Sequence, residues 1–169
     1  MEFTKLLPDT TDFRELIDNN CIYVDKTAEI SQFAVKKGPF FISRPRRFGK
    51  STLINTLHEL FAHGIEKFKG LEIEPLWDDK TYKVVHLDFS KFKDVPSSSS
   101  FNKDFMDSLR FSLQRAGIEP TKEQVDFPAK LLEKSIENED DGAVVLLVDE
   151  YDAPLTAVLN DSNEFEDRR

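Results

Sequence analysis

The sequence predicts an α/β fold in which helices cover a parallel sheet. Short continuous apolar runs alternate along the chain with segments whose apolar residues recur at helical spacing. The 169 residues suffice for one hydrophobic core and leave little room for a second. With 39% hydrophobic residues, 15 Phe and only 6 Gly, the composition is that of a folded chain. We therefore expect a single domain over residues 1–169.

The first third of the chain predicts two helices and a strand. Residues 12–20 indicate a short helix and residues 21–24 an extended piece. Asp25 is the expected N-cap of a helix that continues to Lys37, where a Gly-Pro pair ends it. Residues 40–43 are expected to be the first core strand, because an uninterrupted apolar run is typical of a parallel strand covered on both faces.

The remaining elements are predicted by the same two periodicities. A helix is expected before Gly64, strands at residues 82–89 and 144–148, and a further helix beginning at Pro128. Residues 97–100 are four serines, which predict a flexible surface loop. The apolar helix faces are marked by Leu53, Ile54, Leu57, Leu60 and Phe61, by Phe101, Phe105, Leu109 and Leu113, and by Leu131, Leu132 and Ile136.

Charge and composition exclude several classes of protein. With 32 acidic and 23 basic residues, the net charge of −9 argues against a general surface for nucleic acid or an anionic membrane. Cys21 has no partner for an internal disulfide, and it builds no metal site with His58, His63 and His86. We expect His58 and His63 to face solvent. No run approaches the ~20 apolar residues that span a bilayer, so a cytoplasmic location is expected.

A phosphate-binding loop is predicted between the strand at residues 40–43 and the helix that follows. Its residues are Arg44, Pro45, Arg46, Arg47, Phe48, Gly49, Lys50, Ser51 and Thr52. Backbone N–H groups at a helix N-terminus bind phosphate, and Gly49 permits close approach. Lys50 would then reach the β- and γ-phosphates of ATP, and Ser51 would ligate Mg²⁺. Arg44 stands where the full motif has Gly.

The alternative for this segment is a basic surface turn that caps a helix. Its four cations, Arg44, Arg46, Arg47 and Lys50, are concentrated within seven residues of an acidic chain. This concentration favours a phosphate as the counter-charge.

A second motif follows the strand at residues 144–148. Asp149 and Glu150 stand where that strand ends, the edge at which open α/β sheets bind ligands. Asp149 can hold Mg²⁺ through water, and Glu150 can orient or deprotonate the attacking water. An acidic turn is the alternative, but the two motifs together favour nucleotide binding.

Four segments resemble the predicted AAA-ATPase-like family, and the match runs from about residue 12 to residue 155. They are Tyr23-Val24-Asp25-Lys26-Thr27, Arg44-Pro45-Arg46-Arg47-Phe48-Gly49-Lys50-Ser51, Val85-His86-Leu87-Asp88-Phe89-Ser90 and Asp149-Glu150-Tyr151-Asp152-Ala153-Pro154-Leu155. The resemblance implies a three-layer P-loop NTPase-like fold and an ATPase with a catalytic glutamate. Arg in place of the first Gly is normal in this family. Its members often carry a C-terminal domain resembling PD-(D/E)XK nucleases.

Two details stay open at this point. Residues 23–27 either pack near the nucleotide base or supply ordinary core residues and the Asp25 cap. Asp152 either supports the Mg²⁺ site indirectly or faces water.

ATPases of this kind have a further strand, later in the chain, that carries a γ-phosphate sensor. Residues 151–169 contain no apolar run after Leu159, so the chain resembles the N-terminal portion of a longer protein. Phe41, Ile42 and Leu146 would then be uncovered. We expect the chain to be marginally stable, to self-associate, or to close the gap by direct pairing of the two neighbouring strands. We expect little ATP hydrolysis by the 169 residues alone.

Two functions therefore remain open: an ATP-hydrolysing domain, and a non-hydrolysing nucleotide-binding or interaction fragment of a larger ATPase-nuclease protein. A partner nuclease domain or nucleic acid would engage through later parts of the chain. A nucleic-acid binder acting through the basic loop is disfavoured by the net charge.

Overall fold

The computed structural model describes residues 10–36, 38–43, 48–93, 95 and 98–156. They separate into two compact units, one up to Tyr82 and one from Lys83 onward. Helices and a small parallel sheet are both present, which confirms the α/β class. The three-layer P-loop fold and the single domain of residues 1–169 stay predictions.

The first unit is helical. It contains α1 (Phe13–Asp18), α2 (Thr27–Ala34), α3 (Lys50–His63) and two 3₁₀ turns (Glu66–Phe68 and Glu74–Leu76). Its core includes the stacked rings of Phe13 and Phe68, whose centroids are 4.5 Å apart, together with Leu57 and Leu60 of α3. The predicted helices at α1 and α3 are therefore confirmed.

The predicted extent of the second helix is wrong at its C-terminal end. α2 ends at Ala34, and the Lys36 N–H donates to the Phe33 carbonyl at 3.0 Å, a tight turn that closes the helix. Lys37 lies outside the described residues. Residues 35 and 36, which the sequence predicts to be helical, form this turn instead. The turn uses backbone groups that would make the hydrogen bonds of a longer helix.

The predicted strand at residues 40–43 is also wrong. These residues belong to no described strand, and the side chains of Phe40 and Phe41 are 51% and 72% exposed. A parallel strand exists only where a neighbour takes its backbone hydrogen bonds. No described residue pairs with this segment in a sheet, so its apolar composition alone does not make it a strand. Its exposure agrees with the uncovered Phe41 that we expected.

The second unit contains the sheet. Its elements are β1 (Lys83–Asp88), a 3₁₀ turn (Phe89–Phe92), α4 (Ser98–Arg115), α5 (Pro128–Ile136), β2 (Val144–Asp149) and α6 (Ala153–Thr156). β1 and β2 are parallel, with Val85 opposite Leu146 and Asp88 opposite Asp149. The core packs the sheet against α4 and α5 through Val85, Leu87, Leu109, Leu113, Ile118 and Leu131. Both strands and α5 confirm the sequence prediction.

The serine run does not form the predicted loop. Residues 98–100 are the first turn of α4, and Ser97 lies outside the described residues. The first N–H groups of a helix lack partners within it, and serine is well tolerated there. A run of serines can therefore begin a helix as readily as it can form a loop. α4 has 18 residues, and no helix in the described ranges is both long and apolar enough to cross a bilayer.

Candidate functional site

The described part of the predicted phosphate loop is its C-terminal half. Arg44, Pro45, Arg46 and Arg47 lie outside the described residues, so their predicted roles stay predictions. Gly49 precedes α3 with a left-handed φ of 71°. An added Cβ would meet nothing within 4 Å there, so backbone conformation and not crowding favours glycine. Lys50 is then the first residue of α3, and Ser51 and Thr52 complete its first turn.

Among the described residues, no side chain caps the N-terminus of α3. Its N-cap residue is Gly49, and the helix makes no capping hydrogen bond from a described side chain. The first N–H groups of a helix of 14 residues carry partial positive charge and need acceptors. An anion is a suitable acceptor at such a terminus. Phe48, just before it, is 67% exposed.

The body of α3 is fixed by contacts with α1. Arg14 of α1 donates to both carboxylate oxygens of the buried Glu59, at 3.2 and 2.8 Å. This pairing raises the pKa of Arg14 above its usual value. The His63 Nε2 lies 4.0 Å from the same carboxylate. His63 is exposed as expected, whereas His58 is half-buried. The predicted loop therefore leads into a helix that is tied to α1 at Glu59.

Residues 23–27 have a clear structural role. Asp25 Oδ1 accepts from the Thr27 N–H at 2.9 Å and from its hydroxyl at 2.7 Å. Asp25 Oδ2 accepts from the Glu72 N–H at 2.8 Å, and the Thr27 hydroxyl accepts from the Ile73 N–H at 3.0 Å. The prediction of Asp25 as the N-cap is wrong, because α2 begins one residue later and Lys26 holds that position. Asp25 instead binds the start of α2 from two residues before it and joins α2 to residues 72–73. Burial raises the pKa of Tyr23.

The second half of the predicted site follows β2. Asp149 is its last residue and only 7% exposed, and its Oδ1 accepts from the Glu150 N–H at 2.9 Å. Glu150 is half-buried and has a left-handed φ of 50°. Its carbonyl accepts from the Ala153 N–H at 2.9 Å. Asp152 is exposed, which is compatible with the alternative that it faces water.

Two residues of β1 stand beside Asp149. Asp88 is its register partner, and His86 lies two positions earlier along the same strand. Burial lowers the pKa of His86, and the nearby Asp88 and Asp149 carboxylates oppose that shift. Asp88 enters the sequence prediction only as part of a segment that resembles the family, with no role assigned to it. The available signal is that both predicted strands are followed or ended by Asp, and parallel strands present their carboxyl ends at one edge.

The two halves of the predicted site belong to different units. Lys50 and Ser51 lie in the first unit, and Asp149 and Glu150 in the second. Their assembly into one nucleotide site therefore stays a prediction. Among the described residues no three His, Cys, Asp or Glu side chains form a metal-binding group. A magnesium site of the predicted kind needs only one hydroxyl and one carboxylate, because phosphate and water oxygens complete it.

Comparison with known proteins identifies a family and a relative for this chain. A family model described as "Predicted AAA-ATPase" matches residues 9–169. An "Uncharacterized protein in vnfD 5'region" from Azotobacter chroococcum mcd 1 is 33% identical over 134 residues, which are 79% of this chain and 26% of that protein. The chain thus spans about a quarter of the length of this relative. No solved structure matches the chain significantly.

Proposed function

The chain belongs to the predicted AAA-ATPase family, and on this premise we propose that it is a Mg²⁺-dependent, ATP-binding P-loop ATPase domain. The observation that carries the proposal is the start of α3. There Lys50 and Ser51 directly follow a left-handed Gly49 at a helix N-terminus that no described side chain caps. This arrangement suits a bound phosphate chain.

Binding would use the backbone and two side chains of α3. The N–H groups of its first turn would donate to phosphate oxygens, and the Lys50 ammonium would neutralise charge on the β- and γ-phosphates. Arg44, Arg46 and Arg47 would add positive charge around the same phosphates. The contacts between α1 and α3 support this role, because a helix held in place loses little conformational freedom when the phosphate binds.

The oxygen donors suit magnesium. Mg²⁺ prefers hard oxygen ligands and keeps several waters. The Ser51 hydroxyl would bind it directly, and the Asp149 carboxylate would hold it through water. When bound, the ion would neutralise charge on the β- and γ-phosphate oxygens. The nearly complete burial of Asp149 supports its role as an acceptor with a fixed position.

Hydrolysis would depend on Glu150. Its carboxylate would take a proton from the water whose oxygen attacks the γ-phosphorus. The bond from that phosphorus to the bridging oxygen would break, and ADP and phosphate would leave. The left-handed backbone of Glu150 supports a specialised role, because non-glycine residues rarely adopt this conformation away from functional or tightly constrained sites.

Nucleotide binding without turnover is the second candidate function. The length of the Azotobacter relative favours it, since about three quarters of that protein lie outside the match. Groups that complete hydrolysis could come from such a region. The partner nuclease domain and nucleic-acid target remain predictions.

The test compares ATP binding by three forms of the chain in isothermal titration calorimetry with Mg²⁺. Lys50→Ala should weaken binding at least about tenfold, which is the loss of one charge-assisted contact to phosphate. The matched control is Lys69→Ala, because Lys69 is an exposed lysine of the same unit. The Lys69→Ala variant should bind ATP with the affinity of the wild type. Equal affinities for all three forms would refute the phosphate role of Lys50. Phosphate release measured on the same samples separates binding from turnover.

A further inference from the structure

Each strand of the sheet ends in an aspartate that binds the turn after it. Asp88 and Asp149 are register partners at the carboxyl ends of β1 and β2. Asp88 Oδ1 accepts from the Ser90 N–H at 3.0 Å, and Asp149 Oδ1 accepts from the Glu150 N–H at 2.9 Å. The Asp88 bond caps the 3₁₀ turn at residues 89–92. The two strand ends are thus continued by two turns that each begin at a carboxylate.

The turn begun by Asp88 is firmly attached to α4. Phe92 is almost fully buried. The Phe89 ring lies 4.9 Å from that of Phe105, and the Phe92 ring lies 5.5 Å from that of Phe101, between centroids. The turn also contacts β2. These aromatic contacts attach the turn to α4.

α6, which follows Glu150, also packs on this turn. α6 and the turn at residues 89–92 are in contact, and Pro154 of α6 is buried. The Ala153 N–H at the start of α6 donates to the Glu150 carbonyl at 2.9 Å. This bond ties the left-handed backbone of Glu150 to α6. A non-glycine residue keeps such a backbone only where its surroundings hold it there.

We propose that Asp88 is a positioning residue for Glu150. Its carboxylate caps the turn at residues 89–92, the turn supports α6, and α6 holds the backbone conformation that sets the direction of the Glu150 side chain. The functional part of this inference rests on the proposed role of Glu150 in hydrolysis. The mechanical part concerns only contacts within the second unit. What Asp88 contributes is a hydrogen-bond acceptor, so its negative charge is dispensable.

The first test is amide hydrogen exchange of the whole chain, with the Ala153 N–H as the reporter. Asp88→Ala removes the cap and should speed exchange at Ala153 about fivefold. Asp88→Asn keeps an acceptor for the Ser90 N–H, and its exchange should stay within about twofold of the wild type. Asp12→Ala is the matched control, because Asp12 caps α1 in the other unit. It should leave exchange at Ala153 unchanged.

A second variant distinguishes a local loss of support for α6 from unfolding of the whole unit. If exchange in β1 and β2 also rises in Asp88→Ala, then Phe92→Leu weakens the same support without changing Asp88. Exchange at Ala153 should again rise, while the strands keep their protection. Unchanged exchange at Ala153 in both variants would overturn the proposal. So would an Asp88→Asn chain as perturbed as Asp88→Ala, since charge would then be the property that matters.

The catalytic consequence is tested by ATP turnover. In a polypeptide that contains this chain and turns over ATP, Asp88→Ala should lower kcat about tenfold or more with KM within about twofold, and Asp88→Asn should restore kcat. A loss in KM alone would contradict the positioning role. If the wild type neither binds nor hydrolyses ATP, the proposed function fails, and the exchange measurement still decides whether Asp88 supports Glu150.

Discussion

The hydrogen bonds of Asp25 predict that residues 23–27 stabilise the fold. In Asp25→Ala three bonds are lost, two from Thr27 and one from the Glu72 N–H. Thr27 is fully buried, so no water replaces the acceptor of its hydroxyl. The substitution therefore loosens the start of α2 and its connection to residues 72–73.

The magnitude follows from the two kinds of bond. The two bonds to Thr27 hold the first residue of α2 much as a helix cap does, and their loss costs about 1 kcal/mol. Loss of the bond from the Glu72 N–H to a charged acceptor costs about 1.5 kcal/mol. We expect Asp25→Ala to lower the free energy of unfolding by about 2–3 kcal/mol. Asp25→Asn keeps the acceptor for Thr27 and places an amide donor at the Glu72 N–H. It should lose about half as much.

Urea unfolding followed by far-ultraviolet circular dichroism measures these differences. Asp78→Ala is the control, because Asp78 is exposed and its bond from the Lys80 N–H is long, at 3.3 Å. Its stability should change by less than about 0.5 kcal/mol. ATP affinity, measured where each chain is folded, should be the same in the wild type and in Asp25→Ala. Unchanged stability with weakened ATP binding would refute the structural role and favour a contact with the nucleotide base.

Three further predictions concern turnover, pH and association. Glu150→Gln should bind ATP as the wild type does and slow hydrolysis about 100-fold or more in a polypeptide that turns over ATP; equal phosphate-release rates would exclude Glu150 as the base. Because burial lowers the pKa of His86 in the folded state, the unfolded chain binds more protons, and stability should fall as pH drops below about 6.5. Between pH 7.5 and pH 5.5, the free energy of unfolding measured with urea should change less for His86→Gln than for the wild type. An equal change in both proteins would show that His86 is not the source of the pH dependence. Phe41 is 72% exposed, so Phe41→Ser should reduce self-association in sedimentation velocity, whereas unchanged association would assign the contact to another surface.

Local patterns in the sequence were sufficient for most of the regular elements. α3 is predicted by apolar residues at helical spacing that end at Gly64, and α5 by Pro128 at its first position. β1 and β2 are short apolar runs that also find partners in the fold. These patterns succeed because helical hydrogen bonds and side-chain periodicity depend on neighbouring residues. The positions of Lys50 at a helix start and Asp149 at a strand end could be predicted for the same reason.

Only the tertiary structure decided the features that need a distant partner. Residues 40–43 have the composition of a strand, but a parallel strand needs a neighbour far along the chain. The bond from the Glu72 N–H to Asp25 spans 47 positions, and the pairing of Asp88 with Asp149 depends on register between two strands. The left-handed backbone of Glu150 likewise depends on what packs against the turn that follows it. Sequence periodicity describes which side of an element is apolar, whereas these contacts depend on which other element meets that side.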